Sequence, residues 1–216
     1  NTIFYVLVGT SLNLVLTTLG AYVLSRRNFL WRTPAMMLIL FTMFFTGGMI
    51  PTFLLVEGLG LVDTRLALIL PSAINTYNLV IMRTSFAAVP ESLEESAKIE
   101  GANDFTILIR IFVPVSGSVI AVMVLYYAVA HWNSWFPALL YLRTRALYPL
   151  QLILREILIM NSMDSMRENI DFGDLDRVTD TVKYATIVVA TLPILLLYPF
   201  LQKYFVKGVM IGAVKG

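Results

Sequence analysis

Residues Asn1–Ser25 read NTIFYVLVGTSLNLVLTTLGAYVLS, twenty-five positions without one charged side chain. A bilayer core takes about 20 apolar residues as a helix. In lipid each backbone N–H and C=O must find its partner within the segment, so such a stretch is read as a helix. Ile3–Leu24 is apolar on all sides, as lipid-facing or bundle-buried helices are. Four further stretches carry no charge: Thr33–Val56, Leu66–Met82, Ile111–Leu142 and Tyr184–Gln202. The five together make up more than half of the 216 residues. The chain is 58% hydrophobic and 14% charged, with mean hydropathy +0.77. Soluble domains are about 25% charged. This balance excludes a soluble enzyme, a nucleic-acid binder and a disordered tail. A net charge of +2 is too small to argue for an anionic partner. Zero Cys excludes disulfides, a thiolate metal site and a Cys nucleophile.

The fold expected is all-α: a polytopic membrane helix bundle in a single domain, 1–216. Five spans are predicted, at about 3–25, 34–56, 66–86, 108–130 and 184–205. Lys and Arg set the orientation. Arg26, Arg27, Arg32, Arg83, Lys98, Arg110, Lys203, Lys207 and Lys215 fall on one side, nine basic against five acidic residues. The other side has seven basic and nine acidic. The first side is therefore expected to be cytoplasmic, with the C-terminus there and the N-terminus outside. An external N-terminus that begins with Asn suggests a further transmembrane helix upstream.

Several spans are interrupted. Gly47, Gly48 and Pro51 fall in the second, Pro71 in the third, and Pro193 and Pro199 in the fifth. A helix-interior Pro removes a hydrogen bond and kinks the helix. Polar side chains at that depth serve either as interhelical contacts or as pathway lining. Asn75 and Asn78 are of this kind, and Tyr126, Tyr127 and Asn133 are further candidates for a substrate wall. The charge-free run 111–142 is too long for one span, and a break is expected at His131–Pro137. There His131, Trp132 and Trp135 suit an interface belt. His131 is the sole His and has no second ligand at metal spacing, which argues against a zinc site. In the outer loop, 138–183, Leu150, Ile153, Leu154, Ile157 and Met160 recur at helical spacing. Asn161–Asp180 reads as a solvated loop.

The loop between the third and fourth spans, about 90–106, has the clearest local signals. Pro90 suits a first helical turn. Glu91, Glu94 and Glu95 favour the positive end of the helix dipole. Glu94 and Lys98 are an i, i+4 pair. Gly101 is a left-handed stop, and Asn103 or Asp104 caps the next helix. The small side chains of Ser96 and Ala97 allow a groove to close over that face.

Glu95-Ser96-Ala97, Gly101 four residues after Ala97, then Ile111 and Val113-Pro114, together resemble the EAA loop of ABC importer permeases. That pattern is Glu-Ala-Ala, three residues, Gly, nine residues, Ile, one residue, Leu-Pro. Here Ser96 and Val113 replace Ala and Leu. Ala21–Arg26, Gly58–Thr64, Trp132–Phe136 and the tail from Lys207 also resemble carbohydrate-uptake permeases of the type I fold. The resemblance implies a cytoplasmic coupling helix seated in an ATPase subunit. Glu95, Ser96, Ala97, Gly101 and Pro114 would be the coupling residues, and the helix from Ile107 onward a lever into the bundle. It further implies a second permease subunit, an ABC ATPase dimer, an extracytoplasmic solute-binding protein, a sugar substrate and a bacterial inner-membrane location. ATP and Mg would be bound by the ATPases, since this chain has no G-x-x-x-x-G-K-[ST] motif and needs no cofactor of its own. A permease for amino acids, peptides or ions is the alternative. An intramembrane enzyme is disfavoured, because the five charge-free stretches hold no carboxylate and His131 stands alone.

Overall fold

The structure is a computed structural model that describes residues 1–167, 181–196 and 199. Among these residues every regular element is helical. Ten helices follow in order. α1 is Thr2–Ser25, α2 Arg32–Phe44, α3 Met49–Gly58, α4 Thr76–Ala87 and α5 Glu91–Ile99. α6 is Asp104–Val115, α7 Gly117–Trp132, α8 Trp135–Tyr141, α9 Leu150–Arg167 and α10 Thr181–Leu196. Among the described residues α1 alone is long and apolar enough to cross a membrane unaided. The pairs α2–α3 and α6–α7 would add two crossings if each bent pair counts as one.

The first predicted span is met by α1, but it is not uniform around its circumference. Tyr5, Gly9, Asn13, Thr17, Ala21 and Ser25 are all buried, at strict four-residue steps. Ile3, Leu7, Val15, Leu19 and Val23 point outward. This is the pattern of a membrane helix whose small and polar residues form the contact face. α4 and α7 pack on it.

The other spans depart from the sequence expectation. The second, 34–56, is two helices bent by 113° across Phe45–Gly48. Gly48 sits at φ 84°, which ordinary residues avoid. The third, 66–86, begins as a 3-10 turn at Arg65–Leu68 and passes through a non-helical stretch around Pro71 before α4 starts at Thr76. Asn75 caps α4 by accepting the Asn78 N–H, 3.1 Å. The fourth, 108–130, is not continuous. Leu108–Phe112 forms a π turn, and the chain bends by 86° at Ser116 into α7. Pro114 has no N–H for the carbonyl four residues back, so regular α bonding cannot run through it. In the fifth, helix α10 runs through Pro193 instead of ending there. The Trp132 indole N–H donates to the Ala190 carbonyl nearby, 2.9 Å. Of the expected remainder to 205, only Pro199 lies within the described residues. α9 extends to Arg167, seven residues into the stretch read as a solvated loop. The rest of that stretch, 168–180, lies outside the described residues.

Two apolar clusters tie the bundle together. Toward the α5 end, Ala21, Tyr22, Leu24, Met82, Phe86, Ile107, Phe112 and Met123 pack into one core. Toward the other end, Tyr5, Leu68, Ile69, Ala138, Leu142 and Leu152 form a second. Beyond the second, Asp63 adopts φ 60°. Its carboxylate accepts the Arg143 and Thr144 N–H groups, 2.8 Å each, and the Thr144 hydroxyl, 2.6 Å. These bonds favour the ionised form and hold the carboxyl below the ordinary carboxylate range. They staple the α3–α4 connection to the end of α8.

Candidate functional site

At mid-depth between the two cores α1, α4 and α7 line an open cavity of about 420 Å³. All five residues proposed for a substrate wall, Asn75, Asn78, Tyr126, Tyr127 and Asn133, line it. So do Asn13, Ser72 and His131, which sequence reasoning did not assign to it. Its lining holds no Asp, Glu, Lys or Arg.

The wall is a hydrogen-bonded network, and α1 supplies its fixed points. Asn13, fully buried, donates its amide to the Ser72 and Ala73 carbonyls, 2.5 and 2.9 Å. These belong to the non-helical stretch before α4. Irregular backbone at membrane depth needs such partners. The Asn13 Oδ1 lies 2.7 Å from His131 Nε2, so His131 donates from that nitrogen. Thr17 and the Tyr127 hydroxyl are 2.7 Å apart, and the Asn75 N–H donates to the same hydroxyl at 3.4 Å. His131 packs so closely on Gly9 that a β-carbon there would lie 2.4 Å from Nε2. His131 therefore does not belong to an interface belt: it is 4% exposed inside the bundle. The sequence signal for Asn13 and Thr17 was their four-residue spacing with Gly9 and Ala21 on one helix face.

Asn75 is occupied as a cap and Tyr127 as a tie between α1 and α4. Asn78 is buried at the cavity edge, while Tyr126 and Asn133 are exposed toward it. The arrangement offers amides, phenol hydroxyls and aromatic faces to a neutral hydroxylated ligand. The volume lies within the range of small-molecule sites, about 300–1,000 Å³.

At the α5 end the local sequence signals produce a short helix and a sharp reversal. Gly101 has φ 82°. Its N–H donates to the Lys98 carbonyl, and the Ala102 N–H to the Ala97 carbonyl, 3.0 and 2.9 Å. This double bond pattern ends a helix on a left-handed residue. Asn103 Oδ1 then caps α6 by accepting the Thr106 N–H, 2.8 Å. Glu95 and Ser96 are exposed, and so are the apolar Leu93 and Ile99, the latter at 88%. Ala97 is half-buried against the bundle's own core instead of on the free face. Its methyl gains more from that apolar contact than from water. Pro114 lies in α6 just before the bend at Ser116. Glu94 faces inward, with its carboxylate paired to Arg26 and to Lys98, the latter at 2.7 Å.

Residues 16–211 match the model of a family described as the binding-protein-dependent transport system inner membrane component. The polygalacturonan/rhamnogalacturonan transport system permease protein YtcP of Bacillus subtilis (strain 168) is 49% identical over 215 residues, which cover 99% of this chain and 75% of that protein. Protein LplC of the same organism is 46% identical over 219 residues, 99% of this chain and 72% of that one. A crystal structure of a bacterial ABC transporter involved in the import of the acidic polysaccharide alginate contains a chain that matches with a TM-score of 0.84 and 34% identity. The match covers 95% of this chain and 73% of that chain.

Proposed function

The chain belongs to the family of binding-protein-dependent transport system inner membrane components, and from that premise we propose that it forms one half of the membrane channel of an ATP-driven importer of oligosaccharides. The observation that carries the reading is the charge-free cavity of about 420 Å³ that gathers Asn78, Tyr126, Asn133 and His131 at bundle mid-depth. Amides match sugar hydroxyls, and aromatic faces match sugar C–H surfaces. The relatives named above for polygalacturonan, rhamnogalacturonan and alginate support an acidic oligosaccharide. Because no cation lines this cavity, the uronate charge would be met by the second permease subunit.

In this reading the membrane is crossed five times, by α1, α2–α3, the segment ending in α4, α7 and α10. The chain directions support it: α1 and α4 run the same way, and α7 runs back. The α5 end and the C-terminus would be cytoplasmic, by the excess of Lys and Arg on that side. The free face of α5, with Glu95, Ser96 and Ile99, would seat in an ABC ATPase, and Gly101 would permit the reversal. ATP and Mg would stay with the ATPase dimer. An extracytoplasmic binding protein would deliver sugar at the Asp63 end. Alternating access of the cavity would follow ATP-driven closure.

The test is reconstitution of the complete complex in proteoliposomes with a panel of neutral and uronate oligosaccharides. ATP-dependent uptake is expected, and Asn78→Ala with Tyr126→Ala should lower it while ATP hydrolysis persists. Gly101→Asp, with normal insertion, should abolish uptake and loosen the ATPases. A complex that moves no sugar of the panel would overturn the substrate reading, and unchanged uptake in the Gly101 variant the docking one.

A further inference from the structure

Among the described residues, Glu94 is the one Asp, Glu, Lys or Arg that is buried, at 9% exposure. An acidic residue in the first turn of a short helix usually stays in water, where the helix dipole favours it at no desolvation cost. A buried carboxylate persists only when it is paired and hydrogen-bonded. Here one oxygen takes Arg26 and the other takes Lys98. Arg26 is itself held from three sides. Its Nε donates to Ser25 Oγ at 3.3 Å, and its guanidinium carbon lies 4.2 Å from the Phe112 ring centroid and 5.1 Å from that of Tyr22. Rings at that range attract a guanidinium. A single side chain thus joins the end of α1, the buried edge of α5 and the π turn of α6. The neighbouring Arg27–Glu91 pair, 3.0 Å, is exposed on both sides and adds little.

Two routes lead from α5 to the cavity. The covalent one passes the Gly101 reversal, the π turn at Leu108–Phe112 and the 86° bend at Ser116. Each is a joint, and a jointed strut takes up displacement instead of passing it on. The other crosses from Glu94 to Arg26 and enters α1. That helix is unbroken from Ser25 to Thr2 and bears Thr17 and Asn13, the fixed points of the cavity wall.

We propose that Arg26 is a positioning residue of the transport cycle: it makes α5 and α1 move as one body, so that displacement of α5 reaches the cavity wall through α1. The proposal rests on the reading of α5 as the ATPase-docking helix. Spatial intermediacy alone does not establish a coupling route, so the test measures coupling.

The complete complex carries Arg26→Gln, Glu94→Gln, both together, or Arg26→Lys. ATPase retention on purification, ATP hydrolysis and sugar moved per ATP are read separately. Allosteric couplings span about 5- to 150-fold. Arg26→Gln and Glu94→Gln should each lower sugar per ATP by about fivefold or more while the ATPases stay bound and hydrolyse. The double variant should be no worse than either single, and Arg26→Lys should recover part of the loss. A wild-type sugar-per-ATP ratio in Arg26→Gln, or single losses that multiply in the double variant, would overturn the proposal. A second readout needs no transport. The chain has no native Cys, so with Cys-free partner subunits spin labels at Val23→Cys in α1 and Ser92→Cys in α5 report the α1–α5 distance. That distance should hold constant between nucleotide-free and ATP-bound complexes, and change with nucleotide in Arg26→Gln. A nucleotide-dependent distance in the wild-type chain would refute the single-body link even if the variants express poorly. Loss of the docking reading looks different: ATPases would then stay bound and coupled in the Gly101→Asp chain.

Discussion

α1 and the α2–α3 segment are both uncharged through their apolar runs and of similar total length, yet the bundle treats them differently. α1 is unbroken and buries a residue at each fourth position from Tyr5 to Ser25. α2 buries none, and α3 only Val56. Hydrophobicity does not separate the two, and inside a bilayer it cannot. Lipid tails are as apolar as Leu, so an apolar face has nothing to gain by leaving them. Gly, Thr, Ser and Asn do gain, because they let backbones approach and find partners across the contact. α1 has them in register on one face; in α2–α3 the small residues Gly47 and Gly48 fall together and break the helix instead.

The largest expected effect is at the tightest point of the α1 contact. Gly9→Ala puts a β-carbon 2.4–2.8 Å from the His131 ring, which is buried and tethered to Asn13. Overpacking of this kind costs about 1–3 kcal/mol. Gly58→Ala in α3, with no atom within 4 Å, should instead gain about 0.4–1 kcal/mol. Thermal unfolding of the purified chain in detergent checks both, and equal shifts of one sign would remove the contrast.

Gly48→Ala tests the broken helix by strain alone. Its β-carbon would meet nothing within 4 Å, but φ 84° with ψ −177° is a region used almost only by Gly. A cost of about 1–3 kcal/mol is expected, or a straightened α2–α3, which a spin-label distance across the break would reveal. An unchanged melting point together with an unchanged distance would show that the break does not depend on Gly48.

Asn13→Leu should cost somewhat less. It leaves the Ser72 and Ala73 carbonyls and His131 without their partner. Interhelical hydrogen bonds in membranes are worth on average about 0.6 and at most about 1.7 kcal/mol each. Thr42→Val in α2, whose hydroxyl bonds mainly its own helix at Ile39, should be near neutral by the same unfolding measurement. If both variants unfold alike, the α1 network is not what distinguishes the helices.

The smallest effect concerns the staple that anchors the end of α3. The Asp63 carboxyl is held below its ordinary value, about 3.9. Its contribution is fully present above that value and is lost as pH falls through the lower folded pKa. Hydrogen exchange at the Arg143 and Thr144 amides should stay protected down to about pH 4 and speed up beyond base-line pH dependence below it. Asp63→Asn should remove that acid-dependent step, and a step that survives the substitution would assign it elsewhere.

Much of the α5 end was legible from sequence because its signals are local. Gly101 stops a helix and Asn103 caps one through bonds that span three to five residues. The cavity was only half legible. Asn78, Tyr126 and Asn133 could be named as polar or aromatic residues at depth. Asn13 and His131 could not be paired, because they are 118 positions apart. Interruptions were also visible at Gly47-Gly48 and Pro71, but not at Pro114, which was read only as part of the loop motif. What each Pro does was not visible: Pro114 comes with a π turn and a right-angle bend, while Pro193 leaves α10 continuous.

The sequence by itself determined a helical chain with long charge-free stretches for the membrane, the side that bears the cations, and a capped, Gly-stopped loop between two spans. Each follows from composition or from contacts within one turn of helix. Only the tertiary structure decided which apolar helix is core, that Glu94 turns inward to Arg26 while Glu95 stays free, and that His131 closes on Gly9. Those outcomes depend on which distant residue lies opposite, and in lipid that is settled by close packing and hydrogen-bond satisfaction, which apolarity along a chain does not encode.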